Sequence, residues 1–268
     1  MFNLILADIS RIKRSKAMWI MPLIIVVMVA VLCGLFAGLK YVMELDLSEF
    51  LGDSVDSLAM LGTIAGNGYD MTLMNLQSDT LIYVLIVVFL VVSAFDFSSG
   101  TVKNLLSIGK SKKVIYTSKL LTSYIWTIIA VIFYTLVSAL FGYLFFSSMP
   151  TGAEIGKIAL IMLKQIPIYI SIVSLGHMLV FLTQKTAPSM LIYIGSFILF
   201  ETVAPIIDLI INGSFKVSWL MPLYQLIELT NMDTKPMGLF AIYISCAIYT
   251  AATALGGYFA FKRSELKL

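Results

Sequence analysis

Residues 81–95 read LIYVLIVVFLVVSAF, a run of fifteen residues without a charged side chain. The apolar character continues upstream to about Thr72, so the stretch reaches the roughly 20 residues that an α-helix needs to cross a bilayer. A strand of a membrane β-barrel would alternate apolar and polar residues instead, and this run shows no such alternation. The stretch therefore predicts a transmembrane helix over residues 72–97.

Five further segments have the same length and character. They predict transmembrane helices at residues 17–39, 117–147, 157–182, 187–211 and 237–261. The predicted fold is thus an all-α membrane protein with six transmembrane helices, forming a single transmembrane domain over residues 1–268.

The overall composition agrees with a chain that faces lipid. Of its 268 residues, 60% are hydrophobic and 12% are charged, whereas a soluble domain carries about 25% charged residues. So few charges cannot cover a globule in water, and the mean hydropathy is +0.97. The chain has one histidine, His177, which excludes a clustered His/Cys metal site, and no metal ligands are predicted.

The basic residues near the ends of the predicted helices fall mainly on one side of the membrane. Lys and Arg are enriched on the cytoplasmic side of membrane proteins. The enriched side holds Arg11, Lys13, Arg14, Lys16, Lys103, Lys110, Lys112, Lys113, Lys119, Lys185, Lys262, Arg263 and Lys267. The other side holds Lys40, Lys157, Lys164, Lys216 and Lys235. We therefore expect a multi-pass plasma-membrane protein with both termini in the cytoplasm.

Residues 1–16 predict an amphipathic helix that lies in the cytoplasmic interface with its apolar face in lipid. Asp8 and Arg11 fall off that apolar face. The apolar face consists of Phe2, Ile5, Ile9 and Ile12. The charges of this segment serve either to set the topology or to dock a partner, and the pattern leaves both open.

Residues 95–121, FDFSSGTVKNLLSIGKSKKVIYTSKLL, join the second and third predicted spans. Ser98 or Ser99 can cap a short helix over residues 98–109, and Gly109 suits its left-handed C-terminal position. Ser111 can then cap the next transmembrane helix. The segment therefore predicts a short helix held at the membrane surface between two spans.

This short helix carries an apolar patch in basic surroundings. The patch consists of Val102, Leu105 and Leu106. A loop that served only to set topology would explain the lysines but not the patch. We therefore expect a protein partner to bind here.

The segment resembles the signature region of the ABC-2 type permeases, particularly the bacterial peptide-export and bacteriocin-immunity group. The usual form is an acidic residue, then GT-x-K-N-L-L, then a Gly-Ser-basic stretch and a Ser-Lys pair that enters the third helix. The corresponding residues here are Asp96, Gly100, Thr101, Lys103, Asn104, Leu105, Leu106, Gly109 and Lys119. The acidic residue is often Glu, so Asp96 is a mild departure. The layout is similar over nearly the whole chain, with residues 212–236 resembling an external re-entrant segment.

The resemblance implies a type V exporter-like transmembrane domain in which residues 98–109 are the coupling helix. The residues that contact a separate ABC ATPase subunit would be Gly100, Thr101, Val102, Lys103, Asn104, Leu105 and Leu106. Two such six-helix subunits, identical or homologous, would pair with two ATPases. ATP and Mg would bind to the ATPases, so this chain would need no cofactor of its own. The expected cargo is an amphipathic or antimicrobial peptide, ahead of lipid-like cargo, moved out of a bacterial cell or its membrane.

Two ionisable residues within the predicted spans are candidates for the substrate path. Glu201 lies in the middle of the fifth span, where a carboxylate is costly and normally faces protein or water. Both a functional role and structural pairing remain open for it. His177 lies near the inner end of the fourth span, where packing and a proton-carrying role are the two alternatives.

Other functional classes fit the sequence less well. A stand-alone secondary transporter or channel using Glu201 is the main alternative, although it would be expected to have several intramembrane ionisable residues and matching halves. An intramembrane enzyme would need a motif such as H-E-x-x-H or G-x-S-x-G, and neither occurs. Residues 104–111 resemble a phosphate-binding loop, but Asn104 stands where the loop needs Gly and no strand precedes it. We therefore expect neither enzymatic activity nor nucleotide binding by this chain, and no nucleic-acid partner.

Overall fold

The computed structural model describes residues 2–44, 66–146, 149–211, 217–230 and 236–264. Within these ranges the protein is helical and has no β-strand. The helices are α1 (Phe2–Arg14), α2 (Lys16–Glu44), α3 (Gly68–Gln77), α4 (Thr80–Ser98), α5 (Thr101–Ser107), α6 (Lys112–Phe145), α7 (Gly152–Thr183), α8 (Thr186–Ile211), α9 (Pro222–Thr230) and α10 (Pro236–Arg263). A 3-10 turn, Val217–Leu220, precedes α9.

Six of these helices are long and apolar enough to cross a membrane: α2, α4, α6, α7, α8 and α10. The prediction of an all-helical chain with six helices able to span a membrane is therefore confirmed for the described residues, and these helices fit a multi-pass membrane protein. The predicted re-entrant segment, residues 212–236, is described in its middle part, where the 3-10 turn and α9 lie. Its two ends, 212–216 and 231–235, lie outside the described residues.

The predicted continuous span over residues 72–97 is two helices. α3 ends at Gln77, Ser78 is extended (φ −74°, ψ 155°), and α4 begins at Thr80. The Ser78 hydroxyl donates to the Asn75 carbonyl at 2.8 Å, so a side chain takes a backbone acceptor at the end of α3 and favours termination there. Within α4, a π-helical turn covers Leu90–Ala94.

α4 lies at the centre of the bundle, in contact with α2, α6, α7 and α8. Most of its residues are buried, whereas α2, α8 and α10 are mainly exposed. Gly176 of α7 allows the closest approach, because a Cβ added there would lie 2.3 Å from the ring of Phe89 in α4. Small residues at such crossings let membrane helices pack closely.

Four helix ends meet at one end of the bundle. The rings of Tyr116, Phe97, Phe181 and Phe261, from α6, α4, α7 and α10, pack together there. The Lys112 ammonium donates to the Ser264 carbonyl at 2.7 Å, just beyond the end of α10. We call this the basic end, since it also carries α1, α5 and the positive charges at the ends of these helices.

Candidate functional site

The short helix α5 lies at the basic end between α4 and α6, and glycine shapes both of its ends. Gly100 precedes it in a left-handed conformation (φ 73°, ψ 4°), which glycine adopts without steric cost. Gly109 follows it with φ 85°. The N–H groups of Gly109 and Lys110 return to the carbonyls of Leu106 and Leu105 at 2.9 and 3.1 Å. The prediction of a left-handed C-terminal Gly109 is confirmed.

The predicted caps around α5 are correct on one side only. Ser111 accepts from the Val114 N–H at 3.4 Å and so caps α6 as expected. The prediction that Ser98 or Ser99 caps α5 is wrong, because the left-handed Gly100 takes the cap position and α5 begins at Thr101 rather than at 98. Ser98 instead closes α4, where its hydroxyl donates to the Phe95 carbonyl at 2.9 Å.

The predicted apolar patch of α5 is turned mainly toward the protein. Val102 is 1% exposed, and Leu105 and Leu106 are half-buried against the same core. The expectation that all three form a surface for a partner is therefore wrong for Val102, because a short helix lying across the bundle end buries its apolar side on the spans beneath. The exposed residues of this segment are Lys103, Asn104, Ser107, Ile108, Gly109 and Lys110.

Four charged side chains join α1, α4 and α6 beside α5, and we call them the charge cluster: Asp8, Arg11, Asp96 and Lys119. The side chains of Asp96 and Lys119 are 1% and 2% exposed. Arg11 Nη1 and Lys119 Nζ both contact the Asp96 carboxylate. Lys119 Nζ also lies 2.5 Å from Asp8 Oδ1, and Arg11 Nη2 lies 3.6 Å from the same atom. Two positive and two negative charges thus balance in a cluster in which Asp96 and Lys119 are shielded from water and Arg11 is partly exposed.

The sequence did not predict this cluster, because Asp8 lies outside the apolar face predicted for α1. The buried residues of α1 are Ile5, Asp8 and Ile12, which share one face at helical spacing. That face packs on α6, so the expectation that Ile5 and Ile12 lie in lipid is wrong. The available signal was Asp8 itself, an acidic residue placed between two isoleucines at spacings of three and four.

Glu201 lines a cavity of about 400 Å³ between α7, α8, α9 and α10. Its side chain is half-buried. The phenol of Tyr83 in α4 lies close enough to interact with both Glu201 and Asp79, which precedes α4. Glu201 therefore borders a space large enough for a small ligand.

His177 occupies a different place. It is fully buried in α7, with Nδ1 3.1 Å from the Ser93 hydroxyl of α4. Its ring packs against Tyr116 and Phe181, with ring centroids 5.1 and 4.7 Å away. The residues that line the Glu201 cavity do not include His177, so the structure does not bring the two substrate-path candidates together.

Comparison with protein-family models and with curated proteins finds no match to this chain. Its function must therefore be inferred from α5, the charge cluster and the cavity.

Proposed function

We propose that the chain is the membrane-spanning subunit of an ATP-driven exporter of the ABC-2 type. A separate ATPase subunit would bind at α5, and the basic end would face the cytoplasm, where basic residues are enriched. The observation that carries this proposal is α5 itself, a seven-residue helix presented between two spans at the basic end. ATP and Mg would bind to the partner.

The anchoring of α5 suits a helix that transmits force. Val102 fixes it to the core, and Asp96 lies four residues before Gly100 within the charge cluster. Since the cluster ties α4 to α1 and α6, a displacement of α5 would move these helices together. The proposal requires that these helices have two arrangements, between which the ATPase would switch the chain.

The exposed side of α5 predicts the chemistry of the partner's surface. Ile108 is 74% exposed and would insert into an apolar pocket of the ATPase. Lys103 and Lys110, on either side of it in the sequence, are also exposed, so the rim of that pocket would be acidic. An apolar anchor within a complementary charged rim is a common form of protein interface.

The rest of the assembly follows from the same proposal. Two six-helix subunits, identical or homologous, would pair in a bacterial plasma membrane and open a path between them. Amphipathic or antimicrobial peptides are the proposed cargo, with lipid-like molecules next.

A stand-alone secondary transporter or channel is the second candidate function. The observation that favours it is the cavity at Glu201, with the Asp79 carboxylate nearby. Such a transporter would need no ATPase, so one experiment separates the two.

The test is co-purification from the native host after gentle solubilisation. The variants are Ile108→Asp, which places a charge at the exposed C-terminal cap of α5, and the control Met149→Asp at a residue that is 92% exposed between α6 and α7. We expect a Walker-type ATPase to co-purify with wild type and Met149→Asp and to be lost with Ile108→Asp. Thermal melting of each variant checks that the chain is folded.

Two results would contradict the proposal. An ATPase retained by a folded Ile108→Asp variant at the wild-type level would mean that it binds elsewhere. A folded wild-type chain without any ATPase would favour the secondary transporter.

A further inference from the structure

The walls of the Glu201 cavity are mainly apolar. The larger apolar side chains of its lining include Phe197, Phe200, Leu220, Ile248 and Tyr249. Phe200, Leu220 and Ile248 are also exposed, so the cavity is open at the surface of the described residues. Since α8 and α10 are long and apolar enough to span a membrane, we expect a molecule dissolved in the bilayer to reach it.

The serine and glutamine side chains of the lining already donate hydrogen bonds to other groups of the protein. The hydroxyls of Ser171, Ser196 and Ser245 each donate to a carbonyl three residues earlier in their own helix, at 2.7 Å. The Gln225 amide donates to the Ser245 hydroxyl at 3.0 Å. A hydroxyl that donates to its own backbone still has lone pairs to offer, so these serines present acceptors to the cavity.

Glu201 gives the cavity its charge. It is the one Asp, Glu, Lys, Arg or His among the described lining residues. Asp79 lies nearby, beyond the Tyr83 phenol, and adds a second negative charge to the neighbourhood. A carboxylate within a membrane span is costly unless a positive charge or water meets it.

We propose that this cavity binds a cationic amphiphile, with one ammonium or guanidinium group at Glu201 and an apolar body against Phe197, Phe200 and Tyr249. The ligand's N–H groups would donate to the carboxylate, and its apolar part would fill the rest. Only the identification of this ligand with the cargo rests on the proposed function.

The size of the cavity limits what it takes. Binding pockets for small molecules enclose about 300–1,000 Å³, and this one encloses about 400 Å³. It therefore accepts a small lipophilic amine, or one basic side chain of a peptide with an apolar neighbour, but not a whole peptide.

The test measures binding to the purified chain in lipid nanodiscs, with empty nanodiscs subtracted. The probes are octylammonium, uncharged octanol and the peptide N-acetyl-Leu-Lys-Leu-amide. We expect octylammonium or the peptide to bind at least about tenfold more tightly than octanol, because a desolvated charge pair contributes more than an apolar contact alone. The ligand that binds distinguishes a free amine from a peptide side chain.

Three variants separate charge from shape. Glu201→Gln removes the carboxylate and should lower affinity for the cation at least about tenfold while leaving octanol binding unchanged. Glu228→Gln makes the same change at an exposed residue of α9 outside the lining and should have no effect. Ser196→Phe fills the cavity and should abolish binding of both kinds of probe.

Equal affinity for octylammonium, the peptide and octanol in wild type would overturn the proposal, and this comparison requires no variant. A folded Glu201→Gln variant with wild-type affinity for the cation would also overturn it. No ATPase takes part in this binding test. Ligand binding in the cavity can therefore be refuted while ATPase binding at α5 is supported, and ATPase binding can be refuted while ligand binding is supported.

Discussion

The charge cluster predicts that Lys119 cannot be neutralised without a large loss of stability. Lys119→Met keeps the apolar stem and removes the ammonium that contacts Asp8 and Asp96. The cluster then carries two carboxylates and one guanidinium, a net charge of −1 beside the bilayer core. Arg11 still contacts Asp96, but it lies 3.6 Å from Asp8, so Asp8 loses its close partner.

The magnitude follows from burial. Removing one partner of a buried ion pair costs about 3–5 kcal/mol, because the remaining charge stays desolvated. The side chains of Lys119 and Asp96 are 2% and 1% exposed, so water cannot replace the lost partner. The 40% exposure of Arg11 lets that side chain adjust, which places the expected loss near the lower limit, about 3 kcal/mol.

The assay is unfolding by SDS in mixed micelles, which gives a free energy of unfolding for each variant. The matched control is Lys113→Met, the same substitution at an exposed lysine on the same helix. It should change stability by less than about 0.5 kcal/mol. A double-mutant cycle adds Asp96→Asn alone and with Lys119→Met, and the double variant restores a net charge of zero.

The interaction energy between Lys119→Met and Asp96→Asn shows whether the ion-pair network exists. We expect the double variant to lose less than the two single losses combined, with an interaction energy of about 2 kcal/mol. Additive losses, or a Lys119→Met variant as stable as Lys113→Met, would refute the buried ion-pair network.

Two more predictions concern packing and orientation. Gly176→Ala should destabilise the chain by about 1–3 kcal/mol in SDS unfolding, because the new Cβ would meet the Phe89 ring. The control is Gly195→Ala, where no atom lies within 4 Å of the added Cβ. It should leave the free energy of unfolding nearly unchanged or raise it slightly. The proposed orientation predicts that, in intact cells, a membrane-impermeant maleimide labels Met149→Cys but labels Ile108→Cys only after permeabilisation. Both sites are exposed and the native cysteines are buried, so the labelling reports on the introduced cysteines. Labelling of Ile108→Cys from outside would reverse the proposed orientation.

Local features of the structure were readable from the sequence. Gly109 and Ser111 hold the predicted positions at the ends of α5 and α6, because a left-handed glycine and a side-chain cap each depend on a few neighbouring residues. Glu201 was also identified, since an acidic residue inside an apolar run is visible in the sequence. The left-handed Gly100 does not follow from the sequence, which favours the two preceding serines as caps instead.

The cavity and the charge cluster were not readable in the same way. The cavity joins residues of four helices that are far apart in the chain, from Ser171 to Tyr249. The cluster joins Asp8 to Lys119, 111 residues apart. Neither spacing follows any helical period, so no local pattern predicts these contacts.

The sequence by itself determined that the chain is helical and has six segments able to span a membrane. That follows from the length of each apolar run, a property of consecutive residues measured against the thickness of a bilayer. Only the tertiary structure decided that Val102 faces the core, that Asp8 is buried against α6 and that Glu201 opens into a cavity. Each of these depends on which helix packs against which, and in a chain this apolar almost every face is able to be buried.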